Sequence, residues 1–566
     1  MNTDLLTNLT ELCARKGVND AIICPGSRSA PLTISFTRNK KIKCRTFSDE
    51  RSAAFIALGI AQQTKKPVVL ICTSGSAAYN FAPAIAEAFF QQIPLIVLTA
   101  DRPTEWIDQL DGQTIRQKEL YGNHIKKYFE LPLDYSHPDA EWYANRIVNE
   151  AINLSLIGSK GPVHINAPFR EPLYPTFPTS NDSNSNNEVR IIENQIRDLS
   201  LSDKDFKSII QYLSSTKKIL VVAGQNEPDA ELRENINQLN ESYHWPIAGD
   251  ILSNLHFISD FCGHTDTFLA QRSETEKESL QPDLLITFGK SLISKNLKLF
   301  LRKYKAKEHW HIGESDNVAD TFQSLTKSIR VKPTYFFQRI INEKIIIHSF
   351  WKEYKKHWDT FETTTLKKID TFFQIKNNGE FELVKKVIES LPANCNLHLA
   401  NSMTVRYANH IGITDTKKNI TVYSNRGTSG IDGCSSTAVG HALSSETLNI
   451  LITGDLAFFY DRNAFWHNYQ LPNLVVIVLN NHGGIIFNLI DGPAGLPEAD
   501  EFFITKQNLK AKSVATEFGF SYSDGSGNLT EFFKKDSNVK ILEYESSQST
   551  NKKVFEEFKA YINQNL

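Results

Sequence analysis

The chain alternates short, β-branched apolar runs with amphipathic segments of helical period. Residues 4–16 set Leu5, Leu6, Leu9 and Leu12 on one stripe, which predicts a helix. Residues 21–24 read as a buried strand ended by Pro25-Gly26. Strands follow at 42–47, 68–72 and 95–98, with helices predicted over 51–63 and 77–90. Strand and helix at this spacing predict βαβ units and a parallel sheet. The alternation returns twice. Residues 219–223 and 284–288 are strands of a second block, and 397–399, 420–423, 450–453, 475–479 and 541–544 are strands of a third. The expected fold is α/β, with three doubly wound parallel-sheet domains. The expected divisions are a first domain over 1–175, a Pro-, Ser- and Asn-rich linker over 176–195, a central domain over 196–345, a helical connection over 346–380 and a third domain over 381–566. Strand order does not follow from the pattern.

Composition narrows the class. The 62 Lys and Arg nearly cancel the 64 Asp and Glu, so no basic field points to nucleic acid. No run approaches the ~18 apolar residues of a membrane span. The first residues carry acids and lack the apolar core of a signal peptide. The seven cysteines are odd in number and form no CxxC, which predicts buried free thiols in a reducing, cytoplasmic setting.

The chemistry concentrates where strands of the third block end. Gly454-Asp455 follows one strand and Asn480-Asn481 follows the next, so a crossover brings both to the sheet edge where open α/β folds bind ligands. One carboxylate and one amide oxygen suit a hard cation such as Mg²⁺, with the Gly483 carbonyl as a candidate third ligand and phosphate oxygens or water completing the shell. Two ordinary turns are the plain alternative. Other candidates fall away. His309 and His311 could share a strand face, but no third ligand lies at metal spacing. There is no GxxxxGK[ST], and no GxGxxG follows the first strand.

Gly-Asp followed about 25 residues later by Asn-Asn resembles the signature of the thiamine-diphosphate enzymes, although Leu456 stands where that family usually has Gly. The resemblance covers nearly the whole chain. It implies pyrimidine-binding, central and diphosphate-binding domains, with thiamine diphosphate and Mg²⁺ (or Mn²⁺) as cofactors. It assigns the metal to Asp455, Asn481 and Gly483, and further cofactor contacts to Gly454 and Ile431. It makes Glu50, between a strand and a helix, the acid that hydrogen-bonds the pyrimidine N1′. Alternatively, Asp49 and Glu50 merely cap the helix starting near Arg51.

Residues 24–33 (CPGSRSAPLT), 49–59, 99–105 (TADRPTE), 401–406 (NSMTVR) and 424–433 (SNRGTSGIDG) resemble the menaquinone-biosynthesis branch of that family. That branch decarboxylates 2-oxoglutarate and adds the succinyl-semialdehyde unit to isochorismate in a 1,4 sense. Both substrates are anionic, and Arg pairs bidentately with carboxylates. By resemblance, Ser402 and Arg406 hold the distal carboxylate of the 2-oxoglutarate-derived part. Ser27, Arg28, Arg102, Gln113 and Lys295 are candidates for isochorismate, with Lys290 and Lys298 as alternatives to Lys295. Arg426 lies between the two groups, and Ile486 and Phe487 form an apolar wall. Gly112 before Gln113 and Asn296 after Lys295 depart from some members. The resemblance also implies a site shared between subunits, hence a homodimer or homotetramer. Competing readings are another 2-oxo acid decarboxylase, an acetolactate-synthase-like enzyme, or a non-catalytic binding protein.

Overall fold

The structure, a computed structural model, describes residues 3–174, 189–195, 199–270, 272–343, 345–375, 378–490, 492–525 and 528–563. Most of the predicted linker over 176–195, namely residues 176–188, lies outside the described residues. Three parallel sheets carry the fold. The first runs Lys43–Thr46, Asp20–Ile23, Val68–Cys72, Leu95–Asp101, Val163–Pro168, Tyr128–Glu130. The second runs Ile247–Gly249, Ile219–Ala223, Leu284–Phe288, Glu308–Ile312, Lys327–Ile329. The third runs Thr421–Tyr423, Cys395–Leu399, Leu448–Gly454, Leu474–Asn480, Lys540–Glu545, Ser521–Ser523. Each sheet places its first chain-order strand between its second and third. The chain therefore winds outward in both directions from one switch point, where crevices form beyond the strand ends. Central strands such as VVLIC and ILVVA are buried at every position, as parallel sheets covered on both faces require.

The predicted helix over 77–90 is two helices, Ser76–Asn80 and Ala82–Gln91. Pro83 cannot donate an N–H, so the chain restarts at Phe81 with the proline in a first turn. The strand expected over 95–98 continues to Asp101. Val163–Pro168 escaped the pattern because polar residues sit in its buried centre. Thr99 Oγ1 lies 2.7 Å from His164 Nε2 and donates to Asn166 Oδ1 at 2.9 Å. His309 and His311 share Thr287 Oγ1 at 2.9 and 3.0 Å, a packing arrangement. All seven cysteines are free, with Cys44 half-buried and the rest buried.

First and third domains pack through the helices Glu50–Thr64 and Cys434–Ser444. A Cβ on Gly59 would lie 2.2 Å from Thr437 O, and one on Gly440 would lie 2.3 Å from Ile56 O. Only glycine allows backbones this close. The 27-residue helix Ser349–Ile375 joins the other cores. Its Trp351, Tyr354 and Trp358 pack in the second domain, and Ile369, Phe372 and Phe373 in the third. Among the described residues no helix is long and apolar enough to cross a membrane.

Candidate active site

The third sheet's switch point opens into a cavity of about 530 Å³. Strand Cys395–Leu399 delivers Asn401 and Ser402 to it, and strand Leu448–Gly454 delivers Asp455. Of the residues singled out in the sequence, Ser402, Arg406, Arg426, Ile431, Gly454, Asp455, Asn481, Gly483, Ile486 and Phe487 all line this one cavity.

Asp455 is buried, and burial pushes its carboxyl up from the ordinary range. Its Oδ1 accepts from the Leu456 N–H at 2.9 Å and its Oδ2 from Gln507 Nε2 at 2.7 Å. Asn481 donates through Nδ2 to Glu380 Oε1 at 2.7 Å. Gly483 has φ of 155°, and a Cβ there would lie 2.8 Å from Ile504 O, so the segment after Asn481 folds this way only with glycine. No three His, Cys, Asp or Glu side chains converge on a ligand set among the described residues. A cation held here would therefore rely on the single Asp455 carboxylate, the Asn481 amide oxygen, a main-chain carbonyl and oxygens of a ligand, which suits Mg²⁺ or Mn²⁺ with a diphosphate.

Two cations face the same space. Arg426 donates through Nη1 to Asn401 Oδ1 at 3.0 Å, and Arg406 through Nη1 to Ser402 O at 2.5 Å. Burial depresses the pKa of both, and for Arg406 the neighbouring Arg426 guanidinium adds to it. Neither forms an ion pair among the described residues. Arg426 Nε is buried with no hydrogen-bond partner among the described residues. Guanidinium keeps its proton in proteins, and the carboxylates of Asp250, Glu87 and Asp266 act on the pair without pairing directly with it, so the cavity keeps a positive field that a bound anion would relieve. Ile431 is 37% exposed, so core packing does not account for it. Ile486 and Phe487 are half-buried, and Phe487 packs on Phe503 at a centroid distance of 5.8 Å.

The remaining predicted residues, apart from Lys295, gather at the edge of the first sheet. Ser27 and Arg28 follow its first strand, Glu50 its second and Arg102 its fourth. Gln113 packs on the turn after the third, where a Cβ on Gly75 would lie 3.3 Å from Gln113 Cα. Arg28 is buried and donates to Phe169 O at 3.0 Å. Arg102 donates to Gly112 O at 2.8 Å and pairs with Asp111 at 3.1 Å. The cap of helix Glu50–Thr64 falls to Asp49, whose Oδ1 accepts from Ser52 N at 3.1 Å and whose Oδ2 accepts from Asn463 Nδ2 at 2.7 Å. The half-buried Glu50 carboxylate makes no hydrogen bond or ion pair among the described residues. Lys295 is exposed at the start of helix Lys295–Lys303. Lys298 donates to Leu292 O at 3.1 Å, and Lys290 to Gln91 O. None of Ser27, Arg28, Glu50, Arg102, Gln113 and Lys295 lines the 530 Å³ cavity.

Glu380, Asn401 and Gln507 belong to the site and escaped the sequence reading. Asn401 stands inside the NSMTVR motif and could have been found there. Gln507 and Glu380 carry no local signal. Glu380 opens the helix Gly379–Ser390, where an acid reads as a helix-end charge.

Residues 4–123 match the family model described as thiamine pyrophosphate enzyme, N-terminal TPP binding domain. Residues 198–399 match the middle domain of thiamine pyrophosphate. Curated relatives extend the likeness over the whole chain. A 2-succinyl-5-enolpyruvyl-6-hydroxy-3-cyclohexene-1-carboxylate synthase from Cytophaga hutchinsonii is 47% identical over 98% of both chains. One from Flavobacterium johnsoniae is 40% identical over 93% of this chain and 92% of its own. One from Christiangramia forsetii is 37% identical over 97% of each. With the motifs placed on three like-wound sheets and this likeness running from end to end, the chain belongs to the 2-succinyl-5-enolpyruvyl-6-hydroxy-3-cyclohexene-1-carboxylate synthase family of thiamine pyrophosphate enzymes.

Proposed function

We propose that the protein decarboxylates 2-oxoglutarate and adds the resulting four-carbon unit to isochorismate, using thiamine diphosphate and Mg²⁺ or Mn²⁺. The observation that carries this is the pair of half-buried guanidiniums of Arg406 and Arg426, without an ion pair among the described residues, in the same cavity as Asp455 and Asn481. A site for a monocarboxylate such as pyruvate would not need that much positive charge. The donor set also fits the cofactor: Asp455, Asn481 and the Gly483 carbonyl would hold the cation on the diphosphate. Bound there, thiamine diphosphate supplies the electron sink that lets a 2-oxo acid lose carbon dioxide.

The protein's own groups do the rest. Ser402 and Arg406 orient the distal carboxylate, and Arg426 neutralises the second charge. Ile431 would pack against the cofactor in the cavity. Ile486 and Phe487 keep water from the reacting carbon. Glu50 holds a proton at the pyrimidine N1′ and returns it. Ser27, Arg28, Arg102 and Gln113, with Lys295 beside them, receive isochorismate. Glu50 stands at the edge of another sheet and is not among the residues that line the cavity. A second copy therefore supplies the first-domain edge to each cavity, in a homodimer or homotetramer. The chain divides at residues 175, 195, 345 and 380 into domains, linker and connection. The seven free thiols support a reducing, cytoplasmic setting.

Two measurements test this. Glu50→Gln should abolish product formation from 2-oxoglutarate and isochorismate; turnover equal to wild type refutes the mechanism. Glu50→Gln and Asp455→Ala subunits, each inactive alone, should regain roughly a quarter of wild-type activity when co-expressed, because one site per mixed dimer is intact.

A further inference from the structure

Glu380 is 1% exposed yet lines the cavity, and no motif contains it. Its Oε1 accepts from Asn481 Nδ2 at 2.7 Å and from Ser546 Oγ at 3.2 Å. Its own N–H donates to Asn551 Oδ1 at 3.0 Å, and Asn551 Nδ2 donates to Ser546 Oγ at 2.8 Å. Gly379 has φ of 86°, and a Cβ there would lie 2.9 Å from Asn551 Oδ1, so glycine is what lets this corner close. The carboxyl is thus held in place from the helix Gln548–Asn563 as well as from its own helix.

The consequence concerns which way Asn481 faces. A side-chain amide has two unlike ends, a carbonyl that accepts and an NH₂ that donates. A divalent cation binds only the carbonyl end. A half-turn of the amide would present N–H to the ion and repel it. A fixed acceptor on one side commits the NH₂ to that side and turns Oδ1 away from it. Among the described residues, Asn481 Oδ1 accepts only from Gln548 Nε2, at a long 3.4 Å. Asp455 is steadied in the same manner by Gln507, whose Nε2 also donates to Asn480 Oδ1 at 3.1 Å. Partners of metal ligands set ligand orientation and tune affinity.

We infer that Glu380 is a positioning residue that orients the Asn481 amide, so that its carbonyl oxygen faces the divalent cation. This rests on the reading that Asp455 and Asn481 hold the ion. Any carboxyl oxygen accepts in either protonation state, so the role does not depend on how Glu380 titrates.

The test is Mn²⁺ affinity with saturating thiamine diphosphate, read from the electron paramagnetic resonance signal of free Mn²⁺. Glu380→Met keeps the length and packing and removes the acceptor; the Mn²⁺ dissociation constant should rise about ten- to a hundredfold. Glu380→Gln keeps an acceptor oxygen and should stay close to wild type. Wild-type affinity in E380M, or a loss in E380Q as large as in E380M, overturns the assignment. Should E380M fail to fold, the reversed pair decides. Asn481→Asp alone sets two carboxylates face to face. Combined with Glu380→Gln, whose amide can donate to it, Mn²⁺ should bind severalfold more tightly than in N481D alone; no gain overturns the inference. Asp455→Ala separates the two readings. If it abolishes Mn²⁺ binding while E380M leaves binding intact, only the Glu380 role fails. If D455A binds like wild type, the ion is not held here and the underlying reading fails.

Discussion

Ser402 carries the clearest mark of a residue kept for its side chain rather than for its backbone. It sits at φ 74° and ψ −132°, between the strand Cys395–Leu399 and the helix Met403–Ile411, a conformation that L-residues rarely adopt. Such strain costs on the order of 1–3 kcal/mol and persists where the surroundings impose it. Here the Arg406 guanidinium holds the Ser402 carbonyl, so the turn and the cation are built together. Ser402→Gly should therefore raise stability by about 1 kcal/mol in denaturant melts while raising KM for 2-oxoglutarate. Ser402→Ala should raise KM alike and leave stability unchanged. A glycine variant no more stable than wild type would show that the turn is not strained. At this scale the sequence was most informative where a motif carried its own chemistry. Residue type and spacing single out Asp455 and Asn481, the family resemblance singles out Ser402 and Arg406, and the fold brings all four to one cavity. Glu380 was invisible, because it meets Asn481 from 101 residues away.

At the scale of elements, the loop carrying Arg426 is held from outside its own domain. Glu87, on the helix Ala82–Gln91 of the first domain, is buried. Its Oε1 accepts from Gly427 N at 2.8 Å, and its Oε2 from Thr428 N at 2.5 Å and Thr428 Oγ1 at 2.6 Å. Gln225 of the second domain donates through Nε2 to Ser424 O and to Gln91 Oε1, each at 3.1 Å. A buried donor left without an acceptor costs about 1–3 kcal/mol, but Gly427 is half-buried and Thr428 exposed, so water can satisfy part of this set. Glu87→Leu should lower stability by about 1 kcal/mol in denaturant melts and raise KM for 2-oxoglutarate, because Arg426 loses its fixed loop. An unchanged KM would mean that the loop holds its shape unaided. Elements were legible where apolar runs were long. The three-residue edge strands Tyr128–Glu130, Ile247–Gly249, Lys327–Ile329 and Ser521–Ser523 are too short to show a period.

For the whole molecule, His264 joins three parts. It belongs to the second domain. Its Nδ1 lies 2.5 Å from Glu362 Oε1 on the connecting helix, and its Nε2 lies 3.0 Å from Ile411 O in the third domain. Both ring nitrogens face acceptors, as a doubly protonated imidazolium requires. Burial opposes the charge, but the Glu362 carboxylate outweighs it, and the pKa lies above the ordinary 6.5. The nearby His410 is pushed down to about 4 by burial and stays neutral near pH 6.5. A histidine whose folded pKa is raised adds stability that is fully present below its unfolded value, about 6.5, and is lost as pH rises through the folded value. His264→Gln should therefore lower Tm most below pH 6.5, and the gap from wild type should narrow at higher pH. A gap that widens with pH would reverse the assigned charge.

Local signals in the chain were enough to determine the βαβ alternation, the three blocks, the Gly-Asp and Asn-Asn turns at strand ends, and a reading as a thiamine-dependent enzyme, because each is written over a short span in period, turn chemistry or motif. Tertiary structure alone decided the common strand order, the gathering of Ser402, Arg406, Arg426, Asp455 and Asn481 around one cavity, the separation of Glu50 from it, and the partners Glu380, Glu87 and His264. Those depend on contacts between residues far apart in the chain, and a hydrogen bond across a hundred residues leaves no trace in the local order of side chains.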